Sequence, residues 1–526
     1  MNKNTQMVYT YHNETKHSQL QYAKSLGYMD WATQPNPYRS YVGSQKTQLP
    51  LSFENKSLEY SQIFTQAKQE ERAVAPLCLE NVSQFFQFSL GLAAIKEFGD
   101  QSWALRCNAS SGNLQPSEAY IIAKDIEGIE DGLHHYAPLE HQLELLSPAS
   151  SDLTLPNNSF LVSLSSIVWR EAWKYGERSW RYTQLDCGHA LKALEISALM
   201  LGWKIEVIST KDTELQNLIG FDQAHRYVPE ERELADMLLL VTLDDIVQTT
   251  DIDIKDLRNT LKKSYEGKAN QLSLNWHKWD ILEKIEDATL TDDMKVFKND
   301  SYEENPYRKT SGLAKDIVLN RRSAQVMNKD NCTITKNEFE TILGSIKSNN
   351  SPIHLIIFVH SVEDIDQGLY ILVRNDAHKV ELKSLLKKSF LWEKVDTDAG
   401  ALYKLQNSNM RAISKTISCN QDIASHGAFT LGMLAQFTEQ IETFGAARYK
   451  ELYWECGTIG QQLYLETTSL HLSATGIGCF LDDILHDVIG LQTNEYQTLY
   501  HFTIGRGLVD ERLSTLKPYA SRMIAL

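Results

Sequence analysis

The chain has 526 residues, 42% of them hydrophobic and 23% charged, which fits a soluble globular protein with about three or four domains' worth of chain. Its formal net charge of −16 excludes the basic footprint of a nucleic-acid binder and of a protein held on an anionic membrane. Seven cysteines, an odd number with no Cys-x-x-Cys pair, argue against a disulfide framework or a structural zinc site and read as reduced, mostly buried thiols.

Met1–Tyr11 is polar and lacks an apolar signal core, and no apolar run reaches the length of a membrane span, so the expected compartment is the cytoplasm. Tyr11–Ser18 places Lys16 and His17 beside a hydroxyl. Asp30–Tyr41, with Trp31, Pro35, Pro37 and Tyr38, reads as an extended arm lying across a domain surface. Asn81–Phe98 has partly helical apolar spacing. Ser110–Pro116 (Ser-Ser-Gly-Asn-Leu-Gln-Pro) is a tight loop of close-set donors, and its glycine allows backbone to approach a ligand. An ordinary proline-closed loop has the same composition. Ala119–Ala123 follows as a strand, and Gly132–Tyr136 with His141–Leu146 reads as a hairpin. Phe160–Val168 is another apolar segment, Gly188–Gly202 a helix closed by glycine, and Met237–Leu243 a strand that closes the first sheet. Charge density rises over Asp244–Asp316, which reads as a linker with a docked helix around Trp276–Ile285.

The second half repeats the first. Arg321-Arg-Ser323 stands where Lys16-His-Ser18 stood, Gly368–Leu372 echoes Gly132–Tyr136, and Glu455-Cys-Gly457 echoes Asp186-Cys-Gly188, each of these two triplets read as opening a helix. The motifs are complementary rather than faithfully copied. Only the second half has Gly476-Ile-Gly478, and its match to the donor loop, Ser348-Asn-Asn-Ser-Pro352, lacks the glycine and glutamine. The predicted organisation is a first domain over 1–250, a linker over 251–315 and a second domain over 316–526.

Ser110–Pro116, Trp169–Tyr182, Leu185–Gly188, Arg321–Ser323, Ala474–Phe480 and Gly505–Leu513 together resemble the flavin-dependent nitroreductase superfamily, in particular its SagB-type (azoline) dehydrogenase branch. The resemblance implies an α+β fold of two tandem nitroreductase-like domains forming an intramolecular pseudo-dimer with FMN between them. It implies that Arg321, Arg322 and Ser323 with Arg512 grip the FMN phosphate, and that Gly476, Ile477, Gly478 and Cys479 line one side of the ring. Ser110, Ser111, Asn113 and Gln115 would approach from the other half. A helix beginning near Ser323 would add its N-terminal N–H groups. Gln325 occupies a position where the family often has a second basic residue, and Leu20 matches it in the first half. One FMN site is expected to be kept and the other lost.

Lys174 and Tyr175 are similar to the lysine–tyrosine motif of azoline dehydrogenases, which implies a role in proton removal; a surface lysine beside a packing tyrosine is the plain alternative. Aligning Cys187 with Cys456 puts Thr443 and Phe444 opposite them. The leading expectation is an FMN-dependent oxidoreductase acting on a small organic or modified-peptide substrate, with NAD(P)H or oxygen as redox partner and no nucleic acid, membrane or metal. Its alternatives are an NAD(P)H-dependent nitro- or quinone-reductase and a non-catalytic flavin-binding scaffold. An internal pseudo-dimer would serve as a monomer, with a homodimer the other option.

Overall fold

The computed structural model describes residues 2–51, 58–64, 74–243, 249, 252–261, 265–290, 297 and 312–519. The predicted linker is therefore described only in part. Within it, helix Asp280–Thr289 is present where a docked helix is predicted.

The first half contributes β1 (Gln45–Gln48), β2 (Leu92–Phe98), β3 (Gln101–Arg106), β4 (Ser117–Ala123), β5 (Gly132–Ala137), β6 (Gln142–Pro148), β7 (Ser159–Ser166), β8 (Lys204–Ile208) and β9 (Leu234–Thr242). Seven of these form one sheet in the order β1-β6-β5-β4-β7-β9-β8. The second half contributes β10 (Ile353–Val359), β11 (Gly368–Val373), β12 (Glu393–Lys394), β13 (Ala401–Asn407), β14 (Phe429–Gln436), β15 (Ser473–Ile477) and β16 (Tyr496–Gly505). These form a second seven-stranded sheet, β12-β13-β11-β10-β14-β16-β15. Apart from one edge strand, β1 against β12, the two sheets are built in the same chain order. The predicted hairpin is β5–β6, antiparallel. The strand predicted to close the first sheet, β9, instead lies between β7 and the edge strand β8. Its run Met237–Val241 is apolar at every position because both faces are covered.

Helices α1 (Lys3–Glu14), α2 (Val168–Tyr175) and α3 (Ser179–Leu201) belong to the first half. Helices α4 (Ala314–Asn320), α5 (Phe437–Phe444), α6 (Arg448–Ser469) and α7 (Asp482–Ile489) belong to the second. The predicted helix over Gly188–Gly202 is the C-terminal part of α3, and Gly202 ends it in the left-handed conformation at φ 76°. The two Cys-Gly pairs do not open helices, as their sequence context suggests; each lies in the middle of a long one. There α3 and α6 cross. A Cβ on Gly188 would stand 2.1 Å from the Trp454 carbonyl oxygen, and one on Gly457 would stand 2.2 Å from that of Leu185. Glycine at both positions is what lets the two backbones touch.

The cores interlock around this crossing. Trp454 of the second half packs in the core under the first sheet, while Trp180 and Leu185 of the first half pack in the core of the second. Near the C-terminus, β17 (Ser514–Leu516) returns to pair with β2, which also pairs with β3. The structure is thus an α+β pair of like-built halves packed as an internal pseudo-dimer.

Two local predictions change. Asn81–Phe98 is not one helix: Leu79–Gln87 is helical, and β2 begins at Leu92. The break falls at Gly91, whose N–H bonds Phe86 O and where a Cβ would lie 2.6 Å from Gln87 O. No helix begins at Ser323 either. Helix α4 ends at Asn320, and Ser323 forms a parallel bridge to Ala474 at the start of β15.

Candidate functional site

The donor loop follows β3 and Arg106, and its tight course needs left-handed backbone at Gly112 (φ 58°), Asn113 (58°) and Gln115 (54°). Most of its polar groups bond inward. Ser110 Oγ accepts from the Gln115 N–H at 2.9 Å, Asn113 Nδ2 donates to Ala104 O at 2.9 Å, and Gln115 Nε2 donates to Asn113 Oδ1 at 3.0 Å. The Ser111 N–H and hydroxyl both donate to the Asp186 carboxylate, at 2.9 and 3.0 Å. Gln115 Oε1 is the exception: it is buried without a hydrogen-bond partner.

Asp186 is buried in α3, and burial pushes its carboxyl up to about 7 against the pull of the Ser110 and Ser111 donors. Glu171 on α2 is driven well above the ordinary carboxylate range, by burial first and by the Asp186 charge second. Among the described residues no N–H or hydroxyl donor meets its two carboxylate oxygens, and its side-chain contact is with the Asp186 carboxyl. At neutral pH this neighbouring acid pair retains proton.

Lys174 and Tyr175 end α2 directly over the loop. A Cβ on Gly112 would be 2.8 Å from Tyr175 Oη and 3.1 Å from Lys174 Nζ. Tyr175 packs on Tyr182 with ring centroids 4.5 Å apart. Tyr182 in turn lies on Gly478, where a Cβ would be 2.2 Å from the ring. Tyr500 Oη closes over Gly476, and the Gly476 N–H donates to Tyr464 Oη at 2.8 Å. Two tyrosines therefore bridge the first-half loop to the second-half glycines.

The Arg321–Ser323 segment arrives beside the same place. Ser323 Oγ shares a 2.8 Å bond with Tyr464 Oη. Arg321 lies 5.2 Å over the Tyr464 ring and donates to Cys107 O and Arg106 O at 2.8 and 3.1 Å, just upstream of the donor loop. Arg322 donates to Leu319 O and Arg321 O. Among the described residues neither arginine has a carboxylate partner. Burial, then the Arg321 charge, lowers Arg322 to about 10. Lys96 on β2 is lowered by burial and by the Arg322 charge. Among the described residues three cationic side chains thus gather without a carboxylate, a donor set suited to a phosphate.

Not every predicted residue joins this group. Arg512 bonds Asp510 at 2.7 and 2.8 Å and stacks over Phe98 at 5.6 Å. Gln325 is exposed and makes no hydrogen bond among the described residues. Cys479 lies within electrostatic reach of Tyr175 and Tyr182, but its sulfur contacts Cys419 at 2.9 Å. Lys16 and His17 do not mirror Arg321 and Arg322. The His17 N–H donates to the Asp482 carboxylate of the other half at 2.8 Å and the Asp482 N–H to His17 O at 3.1 Å, whereas Ser323 bridges its own half's edge strand.

Residues 348–506 match the nitroreductase family. The matched span contains the whole second sheet. A curated protein of Methanocaldococcus jannaschii, provisionally named a nitroreductase, is 22% identical over 160 residues, or 28% of this chain and 77% of that protein. A crystal structure of a provisionally named nitroreductase from Anabaena variabilis ATCC 29413 has a TM-score of 0.68 at 18% identity, covering 95% of this chain and 99% of that one. Its fold is shared over both halves, not only over the matched domain. A nitroreductase from Bacteroides fragilis NCTC 9343, solved with bound FMN, is similar at a TM-score of 0.21 and 16% identity, over 39% of this chain and 95% of that one.

Sequence reading did not single out Lys96, Glu171, Asp186 as an acid, or Tyr464 and Tyr500. Lys96 sits in an ordinary strand, 226 positions before Arg322 as the residue numbers give it, so no motif links them. The signal within reach was Asp186, directly before the repeated Cys-Gly pair. Among the described residues, no helix is long and apolar enough to cross a membrane.

Proposed function

We propose that the chain is an FMN-dependent oxidoreductase with one flavin site, assembled from both halves between the Ser110–Gln115 loop and Gly476–Gly478. The observation that carries this reading is the cluster of Arg321, Arg322 and Lys96, which has no carboxylate among the described residues, beside the donor loop. Guanidinium groups bind phosphate through paired N–H donors and keep their charge when half-buried. Arg321, Arg322 and Ser323 would hold the FMN phosphate with Lys96 in support, and the unpartnered Gln115 Oε1 is an acceptor left for a ring N–H. FMN, when bound, supplies reversible acceptance of a hydride.

The chain's own residues supply the proton chemistry. Tyr175 Oη and Lys174 Nζ are adjacent over Gly112, so Lys174 as the free amine would accept the proton taken from a substrate, becoming the ammonium, while the Tyr175 hydroxyl orients it. Burial keeps Tyr175 in its neutral form well past the ordinary tyrosine range. This placement favours dehydrogenation of an azoline-type ring, in a small organic or modified-peptide substrate. The interlocked halves already satisfy the usual subunit interface, so the working unit is a single chain.

The test is a visible absorption spectrum and cofactor stoichiometry after reconstitution with FMN. The expected result is one FMN per chain. Loss of one charge-assisted contact in Arg322→Gln should weaken binding roughly ten- to a hundredfold. A chain that stays colourless, or one that binds two FMN, would sink the reading.

A further inference from the structure

Outside the flavin argument, the second half holds two half-buried thiols in contact. Cys419 lies in the turn after helix Arg411–Ile417, and Cys479 ends the Gly476–Cys479 segment. Their sulfurs are 2.9 Å apart. The two loops are already laced together: Gln421 Nε2 donates to Cys479 O at 3.2 Å, and the Leu481 N–H donates to Ile417 O at 2.7 Å. Cys419 and Asn420 both hold left-handed backbone, at φ 53° and 60°, which turns the Cys419 side chain back toward its partner. A disulfide sulfur separation is about 2.05 Å, so bonding requires the sulfurs to close by less than an ångström.

The N-terminal arm and α3 supply the groups around the pair. His17 and Tyr22 pack with tilted rings 4.7 Å apart, and Arg178, the N-cap residue of α3, approaches while paired with Asp482 at 2.8 Å. The Cys419 thiol, then His17 and Arg178, hold Cys479 well below the ordinary thiol range. Cys419 is correspondingly raised, by Cys479 and by burial. Arg178 Nη2 also reaches the Gly478 carbonyl at 3.3 Å, one residue from Cys479, so a cation stands beside that sulfur and its neighbour Cys419 is placed to resolve it.

We infer that Cys419 and Cys479 form a peroxide-reactive dithiol that closes reversibly to a disulfide. The Cys479 thiolate attacks one oxygen of a hydroperoxide. The S–O bond forms as the O–O bond breaks, the sulfur gives up two electrons, and the departing oxygen takes a proton from solvent to leave as water or an alcohol. Cys419 then attacks the resulting sulfenic sulfur. The S–S bond forms, the S–O bond breaks, and the hydroxyl leaves with the Cys419 proton as water. A dithiol reductant reverses the bond by exchange. Closure would fasten the Gly476–Cys479 segment to the turn at Cys419 and remove the thiolate that His17 and Arg178 face.

The full chain, reduced and freed of reductant, is treated with a modest excess of hydrogen peroxide, alkylated under denaturing conditions and digested for mass spectrometry. The expected result is the loss of two free thiols and one linked peptide pair, Cys419 with Cys479, which dithiothreitol separates. Cys419→Ser should halt at the first step, with dimedone trapping a sulfenic acid on Cys479; Cys479→Ser should give neither product. Cys78 is an internal control, since it too is partly exposed but is raised by burial. No linked pair in the parent chain, dimedone label on Cys419 in preference to Cys479, or Cys78 reacting as fast as Cys479 would each overturn the inference.

Discussion

The crossing of α3 and α6 gives the sharpest test of how the halves are held. In Gly188→Ala the added methyl would stand 2.1 Å from the Trp454 carbonyl oxygen and 2.8 Å from the Trp454 Cα. Both atoms are backbone and cannot swing aside, so the helices must separate by roughly 1 Å, a gap that forfeits a quarter to a half of each affected contact's dispersion energy. Overpacking of this kind costs about 1–3 kcal/mol, and the rigid partner argues for the upper end. Alanine's better helix propensity offsets about 1 kcal/mol, leaving a net loss of roughly 2 kcal/mol. Urea unfolding followed by the fluorescence of Trp180 and Trp454, both buried at the crossing, should show the midpoint falling by roughly 0.5 M. Gly457→Ala should behave alike, since its methyl would lie 2.2 Å from the Leu185 carbonyl oxygen. The double variant should lose less than the sum, because one displacement relieves both clashes. A midpoint that rises in either single variant, as propensity alone requires, would refute the close crossing.

Two further predictions concern buried acids. Although burial opposes it, Arg178 and Arg181 hold Asp482 well below its ordinary value, each at 2.8 Å. That stability is present above the unfolded carboxyl's pKa and is lost as pH falls through the folded one. Asp482→Asn should cost about 3–5 kcal/mol by leaving two buried guanidiniums unpaired, and should flatten the acid limb of a urea-midpoint profile; an unchanged profile would count against the pairing. Asp186 has the opposite sign: its folded pKa is raised to about 7, so its contribution is complete below the unfolded value and lost as pH rises toward 7. The swing is on the order of 4 kcal/mol, and Asp186→Asn, which keeps an acceptor for Ser111, should reduce the fall in urea midpoint between mildly acidic and neutral pH. The same fall in parent and variant would show that Asp186 is not the titrating group.

How much of this was legible in the chain follows from which features are local. The paired glycines 132 and 368 do open equivalent strands, and the Cys-Gly pairs do mark equivalent helices, because a close backbone approach leaves a glycine behind. What could not be read was where along the helix that approach falls. A helix buried on nearly every side, its polar residues included, carries no apolar stripe to fix its ends, and α3 extends well before Gly188 for that reason. The donor loop's residue types were readable, but not that Asp186 takes the Ser111 donors. That pairing joins positions 75 apart and leaves no trace in spacing. Arg512 illustrates the reverse: a plausible arginine whose nearest acid, Asp510, claims it locally.

The repeat also explains why one half alone would carry chemistry. In the second half Ser351 donates to Glu455, just as Ser111 donates to Asp186, so the contact between loop and helix acid is common to both halves. Glu455, however, has Arg374 at 3.6 Å, and Arg374 also donates to Ser351 at 2.7 Å. Pro138 stands at the position equivalent to Arg374 when Gly132 is set on Gly368, so Asp186 has no such arginine bridging it to the loop, and the cations that act on its neighbour Glu171 are Lys174 and Arg170. A neutralised acid is a structural tie, whereas an acid pair that shares proton near neutral pH can exchange it. The residues above them diverge in the same sense. Thr443 and Phe444 replace Lys174 and Tyr175, and Phe444 is 43% exposed. The N-terminal arm seals only the first-half version: a Cβ on Gly176 would strike Lys24 O at 2.2 Å, while Gly445 has nothing within 4 Å. On the proposed reading, enclosure, an acid pair without a bridging arginine and the Lys174–Tyr175 pair coincide in the half that owns the donor loop, and the cations proposed for the phosphate come mainly from the other.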